Sequence, residues 1–451
     1  MDFAEHKQYL DVKQIKIMLY VLAAASFFCM IVMKYDREFK LTALLPVCYF
    51  MSVCFFIQQN VGDGIGGIAV IVVYAFRMCI LPVLCAYGNF WLEPEKNIYI
   101  EYYNEAVLLI CFEDILVFSA LFFLNKYYRK QKKPVMINRQ HNFVIKSMII
   151  FLLFLCIILV AGNTDFLSYF RPIIEEDSGL NIAETVQHLQ SFGFAYYLLM
   201  LIDLIIRPLL SFWVTGYFLK KDNKLGLCMA MAVGIVNVIV VSDRRIISLL
   251  VGGCCMAQIL LYIKQDIVKK MIYLLIAVMA LVTVCYCFYG TNEPYLIARK
   301  FQRYFSGPTL TAIGIAVNDN FVQGPVIFFK RLFNDSIILT GLFHSLETPS
   351  YVIQMCGTAG HGIWTPMMIG SIQYFSIFAP VCVVAMVGFI MKCDCIARNS
   401  KSDLHKLMMN YLSISVAVYM VMYTVELIFY TMIFWGFFYT VIIWFDRKIK
   451  V

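Results

Sequence analysis

The chain has 451 residues, of which 61% are hydrophobic and 15% charged, and its mean hydropathy is +0.77. A soluble globular domain does not need that much apolar surface, whereas a polytopic membrane protein does. The net charge of +8 is spread over short segments between apolar runs, which argues against a nucleic-acid-binding stripe. Most of the 16 cysteines lie inside apolar runs, where they act as small hydrophobic side chains. We therefore expect no disulfide framework, no metal site and no cofactor.

Apolar runs bounded by charged residues predict an all-α, polytopic membrane protein with about twelve transmembrane helices. The predicted spans are 15–33, 41–57, 64–87, 105–125, 147–162, 194–219, 225–241, 246–263, 271–290, 365–391, 407–425 and 427–444. Each is close to the roughly 20 residues that cross a bilayer. Only a tight turn near Glu426 separates the last two. Residues 1–451 are predicted to form a single integral-membrane domain.

The distribution of lysine and arginine predicts the orientation. With the N-terminus inside, the basic residues gather in the inner loops and tail, at 126–146, 220–224, 264–270, 392–406 and 447–450. The predicted outer loops 88–104 and 163–193 are acidic instead, whereas loop 34–40 departs from the rule. We therefore expect a multi-pass protein of the cytoplasmic membrane with both termini cytoplasmic.

Residues 292–364 form the longest polar interruption and are predicted to be one large extracytoplasmic loop. A long loop that persists is usually functional. It contains two predicted amphipathic helices, Tyr295 to Phe305 and Pro325 to Phe333. In the first, one face holds Ile297, Phe301, Tyr304 and Phe305, and the other holds Arg299, Lys300 and Arg303. We expect these helices to lie in the outer membrane interface, either as anchors or as the walls of a basic vestibule.

Charged residues inside the spans need a physical reason, because each costs at least ~2.5 kcal/mol at mid-bilayer unless it is paired or wetted. Asp203 and Arg207 are four residues apart on one helix and can pair. Arg77 matches the depth of Glu113 and Asp114 on the next span, which predicts a cross-helix pair. Such pairs are either structural links between helices or parts of a polar cavity for a substrate or proton.

Arg244 and Arg245 occupy a short hairpin that the topology places outside, where arginine is unusual. The planar guanidinium suits bidentate contact with phosphate. Asp243 can neutralise one of them, and both can instead reach lipid headgroups.

The large loop also holds His344, Glu347 and His361, which can perform acid–base catalysis. Each of them can equally be an ordinary polar surface residue.

Four stretches, at the hairpin and at the two ends of the large loop, resemble the oligosaccharide repeat-unit polymerases of bacterial O-antigen and capsule pathways (Wzy-type). The hairpin Asp243-Arg244-Arg245-Ile246-Ile247 is similar to the family's arginine-bearing turn. The stretch Gln302-Arg303-Tyr304-Phe305-Ser306-Gly307 is similar to its Tyr-Phe-x-Gly opening of the loop. The stretches Gly362–Pro366 and Tyr374–Phe378 resemble the segment that closes it.

The resemblance implies a GT-C-like fold and a membrane glycosyltransferase that polymerises undecaprenyl-pyrophosphate-linked oligosaccharides on the outer face of the bacterial cytoplasmic membrane. A chain-length regulator and a flippase are the implied partners, beside membrane lipid. Without an Asp-x-Asp pair in the loop, we expect metal-independent transfer. The implied site residues are of two kinds. The catalytic ones are Arg244, Arg245, His344, Glu347 and His361, and the substrate-binding ones are Arg299, Lys300, Arg303, Tyr304, Arg77, Glu113, Asp203 and Arg207.

Two alternatives remain open from the sequence. A flippase or other carrier of lipid-linked oligosaccharide would also use intramembrane charge, although the chain lacks two similar halves. An O-antigen ligase shares the same gross features.

Overall fold

The computed structural model describes residues 12–33, 37–57, 64–91, 100–130, 143–172, 188–219, 221, 224–241, 245–262, 294–318, 324–334, 366–400 and 402–448. The described chain is helical, apart from one antiparallel pair of two-residue strands. The predicted all-α architecture is confirmed. Seven helical segments are long and apolar enough to cross a membrane, namely Glu38–Phe56, Ile65–Gly88, Ile100–Tyr128, Val144–Gly162, Phe194–Leu219, Met367–Asn399 and Val425–Phe445.

The first half of the described chain, up to residue 172, contains six α-helices and one strand. The helices are α1 (Val12–Val32), α2 (Leu44–Phe56), α3 (Ile65–Ala75), α4 (Leu81–Gly88), α5 (Tyr103–Lys130) and α6 (Phe143–Gly162). A π-helical turn, Phe76–Ile80, joins α3 to α4, and 3₁₀ turns cover Arg37–Ala43 and Thr164–Tyr169. Strand β1 (Arg171–Pro172) follows.

The second half continues the bundle. Its elements are α7 (Phe194–Leu219), α8 (Lys224–Ile239), β2 (Val240–Val241), α9 (Arg245–Tyr262), α10 (Pro294–Tyr304), α11 (Pro308–Asn318), α12 (Pro325–Asn334), α13 (Met367–Phe375), α14 (Ala379–Asn399), α15 (Asp403–Met422), α16 (Val425–Tyr430) and α17 (Gly436–Lys448). A 3₁₀ turn, Ser376–Phe378, links α13 to α14, and a π turn, Thr431–Trp435, links α16 to α17.

Eleven of the twelve predicted spans overlap helices of the described residues. Helix α15, in the predicted span 407–425, is not among the seven segments named above, so the total of twelve stays a prediction. Three apolar helices are shorter than a full span (Lys16–Val32, Lys224–Ile239 and Ile247–Ile259), and the predicted span 271–290 lies outside the described residues. The predicted turn near Glu426 is a break at Tyr423 and Thr424, whose backbones are extended. The loop helices begin and end within one residue of their predicted bounds.

Helix α15 is the centre of the bundle and packs against α3, α7, α9 and α14. Asp394 on α14 fixes this arrangement, because its two carboxylate oxygens accept the backbone N–H groups of Gly66 and Gly67, each at 3.0 Å. Ser413 on α15 donates a third hydrogen bond to the carboxylate, also at 3.0 Å. The carboxylate therefore satisfies the free N–H groups at the start of α3 and complements the positive end of that helix.

The close approach of α3 to α15 yields a stability prediction. A Cβ at Gly66 would lie 2.4 Å from Ser413 Oγ and 2.8 Å from Ile390 Cγ2. Gly66→Ala should therefore destabilise the fold by about 1–3 kcal/mol through overpacking. The control is Gly253→Ala on α9, where a Cβ would meet no described atom within 4 Å. Thermal unfolding in detergent should give a lower Tm for Gly66→Ala only, and equal melting of the two variants would contradict this packing.

Candidate functional site

The buried charges of the first half meet in what we call the arginine–glutamate centre, formed by Tyr74, Arg77, Glu113 and Ser306. Arg77 Nη1 lies 2.5 Å from Glu113 Oε1, and both side chains are 1% exposed. The Tyr74 hydroxyl donates to the same carboxylate oxygen at 2.6 Å. The predicted cross-helix pair is therefore confirmed, with Glu113 as the partner of Arg77. Because both side chains are buried, bulk water cannot solvate either charge, and each charge depends on its partner.

Arg77 lies in the π-helical turn between α3 and α4, which widens the helix at this residue. The N–H of Leu81 bonds to the carbonyl of Phe76, five residues earlier. Pro82 follows directly and has no N–H to donate, and its ring would clash with the carbonyl of residue 78 in a regular helix. The proline therefore explains the π turn, a feature that is frequent at functional sites.

The large loop supplies the remaining partner of Arg77. The Nη2 group of Arg77 donates to the backbone carbonyl of Ser306 at 3.0 Å, and Ser306 lies in the turn between α10 and α11. Ser306 has a φ of +43°, a left-handed conformation that costs free energy for residues other than glycine. Phe305 stacks on Phe76 at 4.2 Å between ring centroids, and Phe301 packs on the same ring. The end of α10 and the turn after it therefore anchor the large loop on the π turn that carries Phe76 and Arg77.

Several buried polar atoms beside this turn have no hydrogen-bond partner among the described residues. They are Arg77 Nε, Asp114 Oδ1, Gln302 Oε1 and Ser306 Oγ. Asp114 uses its other oxygen to accept from Ser52 Oγ at 2.7 Å and from Cys48 Sγ at 3.7 Å. Buried polar groups normally have hydrogen-bond partners, so each of these four atoms can form a further hydrogen bond, for example with bound water.

The second cluster of intramembrane charge is what we call the Arg207 clasp, formed by Phe170, Asp203, Arg207 and Val240. Arg207 Nε lies 3.0 Å from Asp203 Oδ1, so the predicted pair within α7 is confirmed. Arg207 Nη1 also donates to the carbonyl of Val240 at 2.8 Å. Its guanidinium carbon lies 5.7 Å from the centroid of the Phe170 ring, within cation–π range.

The clasp fixes the base of the hairpin that carries Arg244 and Arg245. Strand β2 pairs with β1, and Arg171 is opposite Val241. Only residues 242–244 separate β2 from the first residue of α9. Arg207 therefore anchors the backbone at the point where the chain enters the hairpin, and Arg171 lies on the neighbouring strand.

The contacts between the chain's loops agree with the predicted sidedness. Thr309 Oγ1 donates to the carbonyl of Trp91, and Tyr295 packs edge-on against Phe90, so loops 88–104 and 292–364 meet. Strand pairing joins loop 163–193 to the base of the hairpin. Each contact joins segments that the charge pattern places outside. The identity of the membrane and the position of the termini stay predictions.

The structure places the remaining site residues only in part. Arg299 lies half-buried on α10. Arg245, Lys300, Arg303 and Tyr304 lie on described helical backbone, but their side chains are outside the described part of the chain. The residues Arg244, His344, Glu347 and His361 also lie outside the described residues. No catalytic constellation from the large loop is therefore described.

Sequence reasoning missed several partners of the two arginines. Tyr74 lies three residues before Arg77, on the same helical face, and that spacing was a usable signal. Ser306 and Val240 contribute backbone carbonyls, which every residue type possesses, so no pattern marks them.

The arginine–glutamate centre predicts strong coupling between its two charges. Arg77→Met alone leaves Glu113 buried and unpaired, and breaking such a pair costs about 3–5 kcal/mol. Arg77→Met with Glu113→Gln removes both charges and should recover much of the folded protein. The measurement is a double-mutant cycle on the amount of monodisperse protein and its Tm in detergent.

Ser306→Gly is the matched control for this cycle. It keeps the carbonyl that Arg77 binds and relieves the positive φ, so it should fold at least as well as the parent chain. A double variant as poor as the sum of the two single variants would show that the charges are not coupled.

Comparison with protein-family models, curated proteins and solved structures finds no match to this chain. The resemblance to polymerases therefore rests on the short motifs of the sequence alone. The function is argued below from those motifs and from the contacts of the two arginine clusters.

Proposed function

We propose that this chain is a metal-independent membrane glycosyltransferase that polymerises lipid-linked oligosaccharide repeat units at the outer face of the cytoplasmic membrane. The observation that carries the proposal is the Arg207 clasp. An arginine inside a predicted span is costly, and here Arg207 binds the Val240 carbonyl, where the chain enters the hairpin. In this proposal Arg244 and Arg245 lie at the outer membrane surface and bind the pyrophosphate of a lipid-linked glycan, whose charge emerges where the lipid ends.

The reaction transfers the growing glycan from its lipid pyrophosphate to a sugar hydroxyl of a second lipid-linked unit. The bond between the anomeric carbon and the pyrophosphate oxygen breaks, and the acceptor oxygen forms the new glycosidic bond. The hydroxyl proton passes to a base, and the pyrophosphate leaves with the bonding electron pair. Positioned donors that meet the developing negative charge are the largest expected contribution.

The hairpin arginines take the role of those donors in this proposal. Arg299 and Arg303 are further candidates, because they lie on α10, which leads into the turn whose Ser306 carbonyl is bound by Arg77. The base is to be sought among His344, Glu347 and His361. In this proposal Asp203 acts on the hairpin through Arg207, as a positioning residue.

A carrier of the same lipid-linked substrate is the second candidate, and the arginine–glutamate centre favours it. Ionisable residues inside a membrane often mark a substrate or proton path, and here a buried ion pair is accompanied by buried polar atoms without described partners. The two functions differ in product. Loss of a carrier stops delivery of repeat units, whereas loss of a polymerase leaves single repeat units on their acceptor.

The hairpin provides the sharpest functional prediction. Arg244→Lys and Arg245→Lys keep the charge but lose the planar fork of donors. At the critical position, lysine should lower transfer about 10–100-fold, by analogy with a lost oxyanion donor, and alanine should lower it further. The measurement is glycan chain length on gels from cells that make each variant, normalised to the amount of protein in the membrane.

Arg139→Ala, in a predicted inner loop, is the control arginine and should leave long chains intact. If Arg244 and Arg245 only contact lipid headgroups, lysine will serve as well as arginine. Full-length polymer from the double alanine variant would remove the hairpin from the site and speak against the polymerase.

A further inference from the structure

An apolar groove of about 440 Å³ lies between α5, α14, α15 and α17. Its walls include Phe389, Ile396, Leu412 and Phe437, and among the described residues its one charged lining residue is Lys392. It is separate from the arginine–glutamate centre and from the Arg207 clasp, since none of the residues that define them lines it.

A glycine keeps the groove open. A Cβ at Gly388 would meet only Leu124 Cδ1 among the described atoms, at 3.8 Å, which is ordinary contact distance. Gly436 on α17 differs, because a Cβ there would lie 2.9 Å from the Phe389 ring. A larger side chain at Gly388 can therefore occupy the groove, whereas one at Gly436 would disturb the helix packing itself.

Lys392 lies one helical turn beyond Gly388 on the same face of α14 and is exposed. The nearest acidic residue of the helix, Asp394, is 1% exposed, and its oxygens are occupied by Gly66, Gly67 and Ser413. It does not present its charge to the groove. The groove thus carries an exposed cation, Lys392, in the half of the bundle that the charge pattern predicts to be cytoplasmic.

The surface around the groove is itself apolar and faces outward from the bundle. On α17, Phe437 is 71% exposed and Trp444 is 52% exposed. In a chain with several helices long enough to cross a membrane, such a surface is suited to lipid.

We propose that this groove binds one anionic phospholipid of the inner leaflet, with an acyl chain between α14 and α17 and the phosphate beside Lys392. The ammonium group of lysine is a common point-charge partner of phosphate. Basic pockets between transmembrane helices on the cytoplasmic side are known to receive anionic headgroups. This inference is independent of the proposed transfer reaction, because it concerns the opposite end of the bundle.

The test uses the full-length protein in lipid nanodiscs made either of phosphatidylcholine or of phosphatidylcholine with phosphatidylglycerol. A lipid that binds only the folded state raises the Tm, so phosphatidylglycerol should stabilise the parent chain more than phosphatidylcholine does. Lys392→Gln should weaken the apparent affinity for phosphatidylglycerol about fivefold, as expected for one basic group at an anionic surface. Gly388→Leu should abolish the selective stabilisation by filling the groove.

Two matched variants serve as controls. Lys224→Gln removes an exposed lysine at the start of α8, and Gly253→Leu enlarges a glycine whose Cβ meets no described atom within 4 Å. Both should keep the full response to phosphatidylglycerol. The proposal is overturned if the parent chain does not distinguish the two lipids. It is also overturned if Lys392→Gln responds as the parent does, or if Gly388→Leu folds and keeps the response.

Discussion

The ion pair of Arg77 and Glu113 is the constraint on which the first half of the bundle depends. The two opposite charges are buried between the π turn that follows α3 and helix α5, so removal of either one would leave the other buried without its partner. Arg77 then uses a second arm of its guanidinium to hold the carbonyl of Ser306 in the large loop. One buried side chain therefore links two spans to the polar region that sequence analysis marked as the functional part. The loop is not a free appendage, because its first two helices are packed into the bundle.

The second arginine, Arg207, performs a parallel task at the hairpin. It is paired within its own helix with Asp203, and its Nη1 donates a hydrogen bond to the Val240 carbonyl. In both clusters an arginine of a predicted span is paired with an acid and donates to a backbone carbonyl next to a turn that is predicted to lie outside the membrane. This arrangement positions polar turns at a defined height relative to the spans, which is what a reaction on a lipid-linked pyrophosphate would require.

Sequence reasoning predicted the two ion pairs but not the backbone contacts that join each arginine to a neighbouring turn. Depth along two helices identified Glu113 as a partner for Arg77, and i,i+4 spacing identified Asp203 for Arg207. The carbonyls of Ser306 and Val240 could not be predicted, because a backbone acceptor has no sequence signature. The bond from Gly66 to Asp394 joins residues 328 positions apart, and no local pattern encodes such a distance. An acidic residue within an apolar run predicts a turn at Glu426, but Glu426 is buried in α16 and the break lies before it, at Tyr423 and Thr424.

Reconstitution tests the proposed polymerase most directly. The purified full-length chain is placed in vesicles with an undecaprenyl-pyrophosphate-linked repeat unit as the sole glycan substrate and without nucleotide sugars. The account predicts a ladder of lipid-linked glycans that differ by one repeat unit, with one undecaprenyl pyrophosphate released for each added unit. Folded protein that moves the lipid-linked repeat unit across the bilayer without any change in glycan size would contradict the proposed polymerase. That result would identify a carrier instead.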